Sequence, residues 1–97
     1  MTLKEQYNFE YLVNEAERLV LEALERRLEE DLDGVICKCQ DCILDIAALA
    51  LNNVKPLYRV SLIGTLYAHS LDDSEYAGEI QKAVDRAIEK ITANPSH

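Results

Sequence analysis

The sequence predicts a mainly α-helical fold with a small β-hairpin: a long amphipathic helix, a buried central helix, a short hairpin and a C-terminal helix. Two observations point there. Apolar residues recur at three- and four-residue spacing in three separate stretches, and hydrophobic content is 48% with only three glycines and two prolines. A chain so composed has enough apolar surface to offset the entropy of ordering, and few residues that break helices. Its 97 residues fit a single domain spanning 1–97.

The first helix is predicted from Asn8 to Glu30, with Phe9, Leu12, Val13, Ala16, Leu19, Val20, Ala23, Leu24 and Leu28 on one face. Its other face carries Arg18 one turn from Glu22 and Glu22 one turn from Arg26, pairs that support a helix weakly. The stretch from Asp31 to Gly34 ends it. Such a long stripe is more apolar surface than two shorter helices cover, which predicts a homodimer with Leu12, Leu19 and Leu24 buried partly across subunits.

The second helix is expected from Cys39 or Gln40 to Asn53. Ile43, Leu44, Ile46, Ala47, Leu49, Ala50 and Leu51 leave it almost no polar side, so it reads as the buried central helix. Asp41 and Asp45 suit its positive end, and Pro56 stops it. Leu57–Ser61 and Thr65–His69, with Gly64 between them, read as a hairpin in which Tyr58 and Val60 share a face. Asp72 and Glu75 have capping-box spacing ahead of Tyr76, Ile80, Val84, Ala87, Ile88 and Ile91, predicting a third helix that runs to about Ala93.

Charge narrows the function. The net charge of −8 argues against gripping duplex nucleic acid, because that affinity comes from lysine and arginine releasing counterions. By segment the net charge is −6 over 1–36, +1 over 37–70 and −3 over 71–97, so an anionic ligand is best received in the middle. Neither a secretory leader nor a membrane span is apparent, and three crowded cysteines suit a reducing compartment; a cytoplasmic location is expected.

Those cysteines, Cys37, Cys39 and Cys42, are the chemical signal. Closely spaced thiols in a turn that opens a helix can converge on one tetrahedral metal, and the helix N-terminus lowers thiol pKa. Zinc is the reading preferred on spacing. An iron–sulfur cluster, a redox pair of Cys39 and Cys42, and simple core packing remain open. The fourth ligand is expected to be His97 rather than His69, with Asp41, water or a partner subunit as alternatives, if the second and third helices run antiparallel and bring the tail beside the cysteines. No phosphate loop, nucleophile elbow or histidine pair at metal-ligand spacing occurs, so no catalytic residue is assigned.

The run from Cys37 through Cys39, Gln40, Asp41 and Cys42 to Asp45, then the alanine- and leucine-rich 47–52, Pro56-Leu57-Tyr58-Arg59-Val60 and Gly64-Thr65-Leu66-Tyr67, resembles the late competence protein ComFB family. The opening YNFEYLVNEA and the closing NPSH fit the same pattern. The resemblance implies a small helical homodimer whose cysteine cluster, carried onto Cys37, Cys39 and Cys42, binds zinc, and it implies no enzyme activity. It also implies a link to competence, and in some bacterial members to cyclic dinucleotide signalling, motility or cell-size control. Two phosphates and two purines favour arginine and aromatic partners, which makes Tyr58, Arg59 and Tyr67 the candidate ligand residues. The alternative is a zinc-stabilised interaction adaptor that pairs with a regulatory protein and takes no small ligand.

Overall fold

The computed structural model describes residues 1–60 and 74–95. Along the chain these form α1 (Leu3–Gln6), a 3-10 turn (Phe9–Tyr11), β1 (Val13–Asn14), α2 (Glu15–Glu29), α3 (Gln40–Leu51), β2 (Tyr58–Arg59) and α4 (Ser74–Ala93). The fold is mainly helical, with one small antiparallel two-stranded sheet among the described residues.

The first long helix starts at Glu15, seven residues later than the apolar spacing predicts. Asn14 adopts an extended backbone and its Oδ1 accepts a hydrogen bond from the Ala16 N–H at 3.1 Å, which caps α2. The same oxygen accepts from the Leu57 N–H at 2.7 Å, so the cap also fixes the neighbouring strand. Glu15 and Glu17 occupy the first turn, where negative charge meets the positive end of the helix. Phe9 and Leu12, in helical register by count, instead lie in a turn and its exit, and every residue from 1 to 12 is exposed.

Helices α2, α3 and α4 enclose one core, into which the loop residue Ile36 also inserts. Its most deeply buried large side chains are Val20, Ile46, Val84 and Cys42, one from α2, two from α3 and one from α4. Leu24 is 3% exposed within the protomer, so this leucine, expected to lie partly between subunits, is already covered by its own chain. Helix α3 is one-sided rather than buried all round: Cys42, Ile46 and Ala50 are covered, while Leu44 is 57% exposed. Two neighbours cannot surround a 12-residue helix. At its end α4 hands the Asn94 N–H to the carbonyls of Lys90 and Ile91, before Pro95.

The strand at Tyr58–Arg59 falls inside the first arm of the predicted hairpin. Its partner among the described residues is β1, with Val13 opposite Arg59 and Asn14 opposite Tyr58. The second arm, Thr65–His69, the turn at Gly64 and the cap at Asp72 lie outside the described residues. Glu15, 2% exposed, ties the sheet to α2. Its carboxylate accepts from Arg59 Nε on one oxygen and from Arg18 Nε on the other, the latter at 2.8 Å. Hydrogen bonds from Arg59 first, and then Arg18, hold this carboxyl below its ordinary range against the opposing effect of burial.

Candidate metal centre

The cysteines sit where a tight loop passes into α3. After Glu29 the chain turns, and the Gly34 N–H reaches the Asp31 carbonyl at 3.2 Å. Gly34 takes φ +67°, a left-handed conformation that costs glycine least. Asp31 then gathers the returning backbone: Oδ1 accepts from the Val35 N–H at 3.0 Å, and Oδ2 from the Ile36 N–H at 3.0 Å and from Lys38 Nζ at 2.7 Å. The Lys38 bond leads the causes that hold the Asp31 carboxyl below its ordinary value, so it stays an acceptor at neutral pH. With Ile36 in the core, Cys37 is fixed from both sides.

Cys39 is the N-cap of α3. Its backbone is extended, and its Sγ accepts from the Cys42 N–H at 3.4 Å, the place a serine or aspartate oxygen usually fills. That geometry turns Cys39 and Cys42, one helical turn apart, toward a common side, where Cys37 joins them. All three Sγ atoms lie within 4.8 Å of one another. Cys42 is buried, and Cys37 and Cys39 are half-buried.

Charge is divided unequally in the cluster. The backbone N–H of Cys39 leads the hydrogen bonds that lower the Cys37 pKa, helped by the neighbouring thiols and Lys38. Burial, followed by the nearness of the Cys37 and Cys39 sulfurs, pushes Cys42 up to about 11. Three thiols this close repel once ionised, and a soft cation among them removes that repulsion while deprotonating all three. The donor set therefore suits a thiophilic metal, with Cys37, Cys39 and Cys42 as its ligands.

The family model of the late competence development protein ComFB matches residues 13–95. The chain belongs to the ComFB family. Its fold is similar to the solved structure described as "Structural characterization of the late competence protein ComFB from Bacillus subtilis", with 28% identity and a TM-score of 0.69 over 88% of this chain and 92% of that one. No curated protein matches the sequence.

Tyr58 and Arg59, singled out from sequence, lie on β2 rather than at the start of α3, where the cysteines gather. Tyr58 is exposed on β2, and Arg59 beside it gives its Nε to Glu15. Tyr67, His69 and His97 lie outside the described residues. Asp41 stands in the first turn of α3 and is exposed. What sequence reading missed is Asp31, which shapes the metal loop from six residues ahead of Cys37; an aspartate just past a helix end and three residues before a glycine is its faint signal.

Proposed function

We propose that this ComFB-family protein is a non-enzymatic cytoplasmic regulator whose Cys37, Cys39 and Cys42 hold a structural zinc ion and which works by binding other molecules. The observation that carries the reading is the convergence of three thiols within 4.8 Å at the start of α3. Zinc would staple the loop after α2 to the central helix, supplementing a small core. A redox pair needs only two thiols, and a four-iron cluster needs a fourth cysteine or a substitute for it. A closed thiolate-rich set is typical of structural zinc, which is why no catalytic step is assigned. His97 is the fourth ligand in this reading.

Self-association belongs to the same proposal. Residues 1–12 include Leu3, Tyr7, Phe9, Tyr11 and Leu12, all exposed, on an arm whose short elements are capped by Thr2 and Asn8. The radius of gyration is 15.5 Å, against about 12.5 Å for a compact domain of this length. An ordered apolar arm that its own protomer leaves uncovered favours a homodimer.

A cyclic dinucleotide is the second ligand reading, favoured by the exposed ring of Tyr58 beside Arg59. The claim of Glu15 on the Arg59 guanidinium counts against it. Calorimetric titration of the zinc-loaded protein with cyclic di-GMP and cyclic di-AMP separates the two. Heat of binding that Tyr58→Ala abolishes supports a receptor; its absence at tens of micromolar leaves a protein-interaction adaptor.

A further inference from the structure

Most helical and strand arginines of this acidic protein are spoken for. Arg18 lies between Glu15 and Glu22, Arg27 meets Asp85, Arg59 meets Glu15, and in the loop Lys38 meets Asp31. Lys82, Arg86 and Lys90 on α4 are exposed and, like Lys4, Arg26 and Lys55, make no ion pair among the described residues. At four-residue spacing they form one row about 12 Å long. Like charges one turn apart destabilise a helix. Glu79 and Asp85, three residues either side of Lys82, and Glu89, three residues after Arg86, offset part of that repulsion, and the negative end of α4 favours Lys90.

The row borders a groove of about 280 Å³ between α3 and α4. Its floor is formed by Leu49 of α3 and Asn53 just after it, above the buried Ala83 and Ala87 of α4. Glu79 closes one end, so the groove is basic along its length and acidic at its mouth.

We propose that this groove docks an acidic amphipathic helix from a partner protein, which sets carboxylates one turn apart on Lys82, Arg86 and Lys90 and an aliphatic side chain against the half-buried Leu49. The inference rests on the reading of the chain as a non-enzymatic interaction module, and it names the chemistry of the partner. A lone phosphate is a poor occupant, because the cations are strung along two turns instead of converging on one point. A nucleic-acid backbone is a poor occupant too, since three cations in one row neutralise few of its phosphates. Glu79 gives the docked helix a direction, with its neutral or basic end at that side.

The test uses the full chain with its zinc content measured on the same sample. The probe is a fluorescein-labelled synthetic peptide of about four helical turns, with glutamates at every fourth position beside leucines. A scrambled peptide of identical composition is the control. The patterned peptide is expected to bind at least about tenfold more tightly than the scrambled one, and K82Q/R86Q/K90Q to lose about tenfold at unchanged helicity and metal content. K82E/R86E/K90E is expected to lose more. Equal binding of both peptides, or undiminished binding by the glutamine variant, overturns the proposal. So does displacement of the peptide by millimolar inorganic phosphate at constant ionic strength, which marks a small-anion site. A wild-type dimer that the glutamine variant converts to monomer without peptide overturns it as well, by making a second copy the occupant. Failure of peptide binding with zinc retained refutes the groove alone, whereas absent zinc with peptide binding intact refutes the metal reading alone.

Discussion

Glu15→Gln removes a buried negative charge while keeping nearly the same shape. In the native protein this side chain is 3% exposed and joins two guanidinium groups, one on its own helix and one on β2. Hydrogen bonds to charged groups contribute about 1.5–3 kcal/mol each. The glutamine retains some of that bonding, and Arg59 and Arg18 are 26% and 40% exposed, so water compensates part of the loss. A net cost of about 2 kcal/mol results, equivalent to about 10 °C in melting temperature for a domain of this size. The pH dependence is the sharper signature. A carboxyl whose folded-state pKa is depressed contributes stability that is fully present above its unfolded value, near the ordinary 4.5, and lost as pH falls through the lower folded value. Urea denaturation at pH 7 and at pH 3 should therefore show a large gap between wild type and variant at neutrality that narrows in acid. A variant within about 0.5 kcal/mol of wild type at pH 7, or a gap that acid leaves unchanged, refutes the clasp as the tie between sheet and helix.

Other perturbations separate loop, core and surface. Asp31→Ala frees the backbone ahead of Cys37 and is expected to weaken zinc binding at least about tenfold, as lost support around a metal site does, with helical content unchanged in circular dichroism. Ile46→Ala, which truncates a side chain 1% exposed, should cost about 3 kcal/mol in urea denaturation. Leu44→Ala on the open side of the same helix should stay within about 0.5 kcal/mol when measured on dilute protomer. Competition with a chromophoric chelator from pH 8 to pH 5.5 should show zinc affinity falling steadily, because each thiolate must take up a proton as the metal leaves.

How much of this was legible in the chain depends on whether a residue acts locally. The helical stretches around Val20, Ile46 and Val84 declare themselves by spacing, and the helix that ends at Ala93 is stopped by the proline at 95. Cys39 at a helix start was likewise readable, since the acidic, alanine-rich stretch after it begins there. Asn14 followed by two glutamates within three residues is a helix-start pattern, but the apolar spacing through Phe9 and Leu12 points to an earlier start and masks the cap. Nothing local distinguishes Glu15 from the other acids of its helix, because its second arginine comes from 44 residues away and no local rule brings Arg59 there. Leu44 shows the opposite failure. Composition predicted burial all round, but burial depends on how many neighbours a helix has, which no window of sequence contains.

The proposed zinc site requires Cys37, Cys39 and Cys42 to act as one cluster. Elemental analysis of protein purified without added metal or chelator, for wild type and for each single cysteine-to-serine variant, tests it most directly. About one zinc per chain is expected in wild type and below about a tenth of that in each variant, as follows if all three thiolates share one ion. Iron in place of zinc, or metal-free wild-type protein with a disulfide between Cys39 and Cys42, would contradict it.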